Sequence, residues 1–254
     1  MFRPLSSCIV VLLAAACASL AAAPLRVGGF VVAPLVLGDR DRPIRGALRD
    51  YLEREVVPAG VPLRWMPAMS VHEAVGGLRN GSLDVMLVAS GDALREPGTR
   101  ASTWTYLHSQ PHLALRDDAP LRAVRSLDQL AGLEIAWIAG PAISGGLLRS
   151  GARWRRIEGA NWQVHALRLV QTGAIDAAYF ENGYSPRYYV QTMGLPMRVL
   201  RLPMPPRSFF MLYSAKADRD TIARFDRVAG AAFAGRRFRD FLEKYPTEGM
   251  APRP

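Results

Sequence analysis

A helix–glycine–strand phrase occurs twice in the chain, and it limits the available folds more than any other feature. The first copy is Leu78-Arg79-Asn80-Gly81-Ser82-Leu83-Asp84-Val85, and the second is Val170-Gln171-Thr172-Gly173-Ala174-Ile175-Asp176-Ala177. The two aspartates stand 92 positions apart (176 minus 84). In each copy a run with helical spacing stops at a glycine, the residue that takes the left-handed conformation after a helix C-terminus. A short apolar run then opens around the aspartate, the pattern of a buried parallel strand. Two such units predict two similar α/β lobes. In the second copy the apolar run ends at Phe180, so Glu181 and Asn182 stand just beyond a strand end. In open α/β sheets that edge is where ligands sit, and a carboxylate there can meet a ligand ammonium.

The rest of the chain fits the same plan. Strands are predicted at 25–32, 63–66 and 83–88. The first intervening helix starts at Pro43 and carries Ile44, Leu48, Tyr51, Leu52 and Val56 at helical spacing. The second opens with the capping box Ser70-Val71-His72-Glu73. This β-α-β-α-β order starts a doubly wound sheet. Residues 89–102 form a loop at a strand end, and 103–115 are extended and aromatic. Ser126 with Gln129 is a second capping box, followed by a strand at 134–139 and a turn at Gly140-Pro141-Ala142. Helices are predicted at 143–149, 162–170 and 186–193, and a strand at 197–202. Pro203, Pro205 and Pro206 make a stiff link to an extended segment, 208–214. An amphipathic helix through Ile222, Phe225, Ala229 and Phe233 and a shorter one through Phe238 and Leu242 close the chain. The proline link implies that the tail rejoins the first lobe. The expected division is 24–112 with 205–254 for lobe 1 and 113–204 for lobe 2, with a hinge near 112–118 and 202–208.

The 254 residues allow one or two domains with real cores. Residues 1–23 stand apart: Arg3, an apolar run at 8–16, then small residues at 19–23, the three regions of a secretory signal peptide. The run is too short to span a bilayer. A soluble periplasmic protein is therefore expected, cut between Ala21 and Pro24. Leu13-Ala14-Ala15-Ala16-Cys17 also resembles a lipoprotein signal, which would anchor the chain at Cys17 instead. Both cysteines, Cys8 and Cys17, lie in this segment, so the mature chain has neither a disulfide nor thiol chemistry. The net charge of +10 is almost all arginine, with Lys216 and Lys244 the only lysines. The arginines are spread along the chain apart from Arg153-Trp154-Arg155-Arg156 and Arg236-Arg237-Phe238-Arg239. Without a basic face and a recognised motif, that composition reads as solvated helix faces and not as a nucleic-acid surface.

The chain resembles bacterial extracellular solute-binding proteins of the polar-amino-acid type, the receptors of ABC importers. The likeness rests on five stretches in the family's order: 78–88, Thr99-Arg100 followed by His108-Ser109-Gln110-Pro111-His112, 126–139, 173–181 and 209–245. It implies a two-lobed periplasmic-binding-protein-like fold of type II, α/β in class, that closes on a ligand like a trap. It implies that Arg100 grips a ligand carboxylate, as the planar guanidinium does bidentately. It places Glu181 on a ligand ammonium and Ser90 beside the carboxylate. The partners implied are a small polar ligand, an amino acid or other small carboxylate, and a membrane permease, with the binding protein acting as a monomer and using no cofactor. The sequence departs from the pattern at Gly29, Val32 and Val71, where the family carries acid or ring side chains, and at Ala142, where it carries a hydroxyl.

Other chemistry finds less support in the residues. Tyr106, Trp104, Trp137 and Tyr184 are rings that could stack on a ligand, although rings of this kind more often pack. His108 and His112 have the spacing of a helical zinc pair, but Pro111 between them forbids the helix. No Gly-x-Ser-x-Gly occurs, and no thiol is left, so a nucleophilic enzyme is not expected. Asp84 and Asp176 open strands and are expected to cap or turn. A sensor module for a separate signalling partner and a periplasmic enzyme on the same fold stay open beside transport.

Overall fold

The computed structural model describes residues 23–91, 93, 96–138 and 143–245. The expected signal segment apart from Ala23, and the turn Gly140-Pro141-Ala142, lie outside them.

The strands form two mixed sheets. The first contains β1 (Leu25–Gly29), β2 (Leu63–Ala68), β3 (Val85–Ser90), β4 (Thr99–Ala101), β5 (Leu107–Ser109) and β11 (Arg207–Ser214). Its order is β2-β1-β3-β11-β4, with β5 also paired to β11. The second contains β6 (His112–Arg116), β7 (Glu134–Ile138), β8 (Arg153–Ile157), β9 (Ala177–Phe180) and β10 (Met197–Arg201), in the order β10-β6-β9-β7-β8. The two are built alike. In the first, β1 runs parallel to both β2 and β3, and β11 lies antiparallel beside β3. In the second, β7 runs parallel to both β8 and β9, and β6 lies antiparallel beside β9. The repeated phrase sits at the same place in each. Gly81 and Gly173 both take left-handed backbone, with φ of 83° and 73°, where a Cβ would be strained. Each ends a helix, α2 (Val71–Asn80) and α4 (Trp162–Gln171) respectively, with the short α3 (Gly145–Leu148) between them in the chain.

Two chain crossings join the sheets, at Gln110-Pro111 between β5 and β6 and at 202–206 between β10 and β11. They touch, since Leu202 N donates to Pro111 O at 2.9 Å. The tail returns to the first sheet, where α6 (Arg219–Phe233) and α7 (Arg237–Glu243) cover it together with α1 (Ala47–Glu55). Tyr51, Phe233 and Phe238 form the ring contacts of that core, with centroids 4.9–5.1 Å apart.

Both capping boxes form. Ser70 Oγ accepts from Glu73 N, and the Glu73 carboxylate accepts from Ser70 N at 2.7 Å. Those bonds and the Arg40 guanidinium pull the Glu73 carboxyl down to about 2. Ser126 and Gln129 make the same reciprocal pair before the 3-10 turn Leu127–Leu130.

Local expectations fail where pairing is non-local. The first helix starts at Ala47 and not at Pro43, because Ile44 N donates to Met66 O and Leu37 and Arg45 bridge each other, holding the preceding segment extended. Arg153-Trp154-Arg155-Arg156 is not a helix face. It is β8, an edge strand whose three arginines are exposed, a composition that discourages further strand pairing.

Candidate functional site

The carboxyl ends of β1, β3 and β9 point into one cleft between the lobes, with the start of β11 beside them. That follows from the shared topology, because parallel strands of a doubly wound sheet deliver their ligand groups at that edge. The cavity measures about 390 Å³, within the range of small-molecule sites.

From β3 comes Ser90, and from beyond β9 come Glu181 and Asn182. Ser90 Oγ donates to the Glu181 carboxylate across the cleft, joining the lobes at its centre. Asn182 also borders the cavity, but its side chain is used structurally: Oδ1 accepts from Ser185 N at 2.8 Å at the start of α5 (Tyr184–Thr192). The register of β11 explains the cation. Phe209 stands opposite Ser90, so Arg207, two residues earlier, overhangs the end of β3 and enters the cleft.

Four polar atoms in this cavity are buried without a hydrogen-bond partner: Ser144 Oγ, Gln163 Nε2, Tyr179 Oη and Arg207 Nε. Among the described residues only Tyr106 Oη and Trp154 Nε1 share that condition elsewhere. Leaving such an atom unmatched costs about 1–3 kcal/mol, a cost that water or a polar ligand in the cavity would offset. Tyr179 lies beside Arg207 and Glu181. Burial pushes its hydroxyl well above the usual tyrosine value, the Glu181 charge adds to the shift, and Arg207 opposes it. The hydroxyl therefore stays protonated and serves as a neutral donor or acceptor. Tyr179 is held from below by Trp137, stacked at 4.4 Å.

A strap from the first lobe closes one side. Ala33 is fully buried within a core cluster of the second lobe. Its N–H donates to Gln163 Oε1 at 3.0 Å, and its carbonyl accepts from Ser185 Oγ at 2.5 Å. Trp162 Nε1 reaches Val31 O at 3.2 Å.

Of the five residues expected at a site, Ser90, Glu181 and Asn182 come together here. Arg100 does not join them. It lies exposed on β4, paired opposite Tyr213, and takes no part in the cavity lining. Tyr106 is also elsewhere, packed in the first-lobe core against Phe209, Phe233 and Phe238. Trp104 stacks on Phe233 and donates to Asp226 O, and Tyr184 packs against the first-lobe core. Sequence reasoning missed Arg207, Gln163 and Tyr179 as polar lining. Arg207 stood at the end of a proline link, and only its pairing register places it. Val32 and Val71, singled out as departures from the family's ring positions, both line the cavity. His108 and His112 diverge: His108 contacts Thr105 and Ser208, and His112 contacts Gln110 O and Arg187. Among the described residues no group of three His, Cys, Asp or Glu could hold a metal ion. No helix among them is long and apolar enough to cross a membrane.

The two like-built lobes and the cleft between them define the two-lobed periplasmic-binding-protein-like fold. Solved structures confirm it. The periplasmic VFT2 domain of BvgS from Bordetella pertussis superimposes with a TM-score of 0.71 at 19% identity, covering 87% of this chain and 93% of that one. The GluR0 ligand-binding core in complex with L-glutamate gives 0.70 at 18%, covering 88% and 98%. The substrate-binding protein of an amino acid ABC transporter gives 0.67 at 15%, covering 88% and 99%. No protein-family model and no curated protein sequence matches the chain.

Proposed function

We propose that the protein is an exported receptor that encloses a small carboxylate-bearing ligand between its lobes and delivers it to an ABC permease in the membrane. The observation that carries the reading is the cluster of unmatched polar atoms in the inter-lobe cavity. They come from both lobes, Arg207 from the first and Gln163 and Tyr179 from the second, so only a closed trap brings them together. The structural neighbours bear on it too: one is a glutamate complex and one a substrate-binding protein of an amino acid transporter. They are ligand-binding domains, which favours capture over catalysis. The apolar run before residue 23 supports export.

The strap at Ala33 gives a second reading its footing. A lobe contact already buried in the core suits a module that reports occupancy to a partner. A melting-temperature screen of the purified protein against amino acids, small carboxylates and polyamines tests the binding claim. At least one member is expected to raise the midpoint saturably, and a flat panel refutes it. Uptake of that ligand by cells with and without the gene then separates transport from sensing: unchanged uptake rejects delivery to an importer.

A further inference from the structure

We infer that the ligand is a monocarboxylate with an apolar body, its carboxylate held by Arg207 and its body by the wall of the first lobe. This rests on the cleft being a ligand site, and it replaces a polar body with a hydrocarbon one. The two sides of the cavity differ in chemistry. Phe30 and Val32 beyond β1, Val71 and Val75 on α2, Met86 on β3 and Leu212 on β11 make the first-lobe wall. A second carboxylate or a guanidinium laid against these side chains would lose its water and gain no partner. A phenyl or branched hydrocarbon group loses only unfavourable hydration there. The one acid–base pair on that side, Arg79 with Glu96, is satisfied internally at the cavity's edge.

Arg207 is the complementary feature. Its Nε is buried without a hydrogen-bond partner, its side chain neighbours the Tyr179 hydroxyl and opposes the rise of that group's pKa, and it is in none of the ion pairs among the described residues. The guanidinium edge offers two parallel N–H groups, the fork that a carboxylate fills bidentately. Gly91 stands beside it at a φ of 55°, which favours glycine, and a Cβ there would make only an ordinary contact with Arg207 Nη1 at 3.7 Å. Tyr179 Oη and Gln163 Nε2 supply neutral polar atoms on the opposite side. An α-amino acid with an apolar side chain and a simple arylalkanoate share this chemistry. They differ only in whether an ammonium is presented to Glu181.

Calorimetry on the purified protein tests the inference with five probes: L-phenylalanine, 3-phenylpropionate, 2-phenylethylamine, L-glutamate and L-arginine. Expected is binding of one or both aromatic carboxylates at least about tenfold tighter than of the other three, a margin of about 1.4 kcal/mol. L-Phenylalanine against 3-phenylpropionate then decides between the amino acid and the simple acid. Arg207→Gln is expected to weaken the tighter aromatic probe by more than about tenfold, as truncating one partner of a buried charged pair does. Val71→Asp, which sets a charge on the apolar wall at the first position of a helix where acids are tolerated, is expected to do the same. It carries the test if Arg207→Gln does not fold. L-Glutamate or L-arginine binding tighter than both aromatic acids overturns the ligand class and leaves the receptor reading standing. Unchanged binding of the aromatic probe in Arg207→Gln overturns the assignment of Arg207. No heat with any probe overturns the ligand class, and the receptor reading falls only if the wider melting screen is flat as well.

Discussion

Asp84 and Asp176 make the same clasp in the two sheets. Asp84 Oδ2 accepts from Arg26 N at 2.8 Å at the start of β1, and Asp176 Oδ2 accepts from Glu134 N at 2.8 Å at the start of β7. Each aspartate also returns its own N–H to the carbonyl of the residue it holds, at 2.9 Å in both cases. The carboxylate thus takes over the first rung between two parallel strands, where the ladder has not yet begun. The lobes are two copies of one device, and the aspartates serve the scaffold and not the cleft.

The copies differ in burial, and that sets a prediction. Asp84 is 6% exposed and also binds the Arg26 side chain through Nε and Nη2, which raises the Arg26 pKa. Asp176 is exposed. Asp84→Ala is expected to cost about 2–3 kcal/mol and Asp176→Ala about 0.5–1.5 kcal/mol, the range between charged and ordinary hydrogen bonds. Urea unfolding midpoints of the two variants measure it. Equal costs would show that burial of the first clasp adds nothing.

The strap at Ala33 should govern how readily the lobes part. Ser185→Ala leaves a fully buried carbonyl without its donor, and Gln163→Ala leaves the Ala33 N–H without its acceptor. Each is expected to cost about 1–3 kcal/mol, and the pair to enlarge the radius of gyration in small-angle scattering of the unliganded protein. Scattering unchanged from wild type would mean that the lobes stay together without these bonds.

His112, at the first crossing, predicts a pH dependence. It is 5% exposed, with Nδ1 donating to Gln110 O at 2.8 Å and Nε2 accepting from Arg187 at 3.1 Å. Burial lowers its pKa, the Gln110 carbonyl opposes the shift, and the Arg187 and Arg201 cations add to it. A depressed folded-state pKa means that the unfolded chain binds the proton first. The contribution of His112 is therefore fully present above 6.5 and is lost as pH falls through the folded value. Between about pH 7.5 and about pH 5, wild-type stability should fall more steeply than that of His112→Gln. Parallel slopes in urea unfolding would remove His112 as the cause.

What the sequence disclosed was what local chemistry dictates. The glycines after α2 and α4, the two capping boxes and the aspartate before each apolar strand declare themselves within a few residues of chain. The proline-rich return was legible because Pro203, Pro205 and Pro206 allow little else. Glu181 stands out in the sequence because it follows directly on a recognisable strand, whereas Ser90 rests on the family resemblance; both border the cavity. Arg207 was hidden because its place depends on pairing with β3, more than 100 positions away in sequence (207 minus 90). The same non-local rule turned 153–157 into an edge strand, and buried Tyr106 under helices α6 and α7 from the far end of the chain. Residue type alone does not say which of Arg100 and Arg207 borders the cavity; the pairing register of β11 does.

Arg100 supplies the last prediction. The resemblance to amino-acid receptors gives it the ligand carboxylate, but the fold sets it on β4, opposite Tyr213 across the outer pairing of β11. Its charge is felt there, at Tyr213. Burial and then the bond to Asp226, at 2.7 Å, raise the Tyr213 pKa, and Arg100 works against them. Arg100 is exposed and lies on an edge strand, so its removal takes away no buried partner. Arg100→Ala should therefore change stability by no more than about 0.5 kcal/mol, as for other surface positions. It should also leave the affinity for whichever probe binds within about twofold of wild type, less than about 0.4 kcal/mol. Calorimetry beside the Arg207 variant gives the comparison. A loss above about tenfold in Arg100→Ala would place that guanidinium on the ligand, and would require the bound form to pair β4 differently from the arrangement described here.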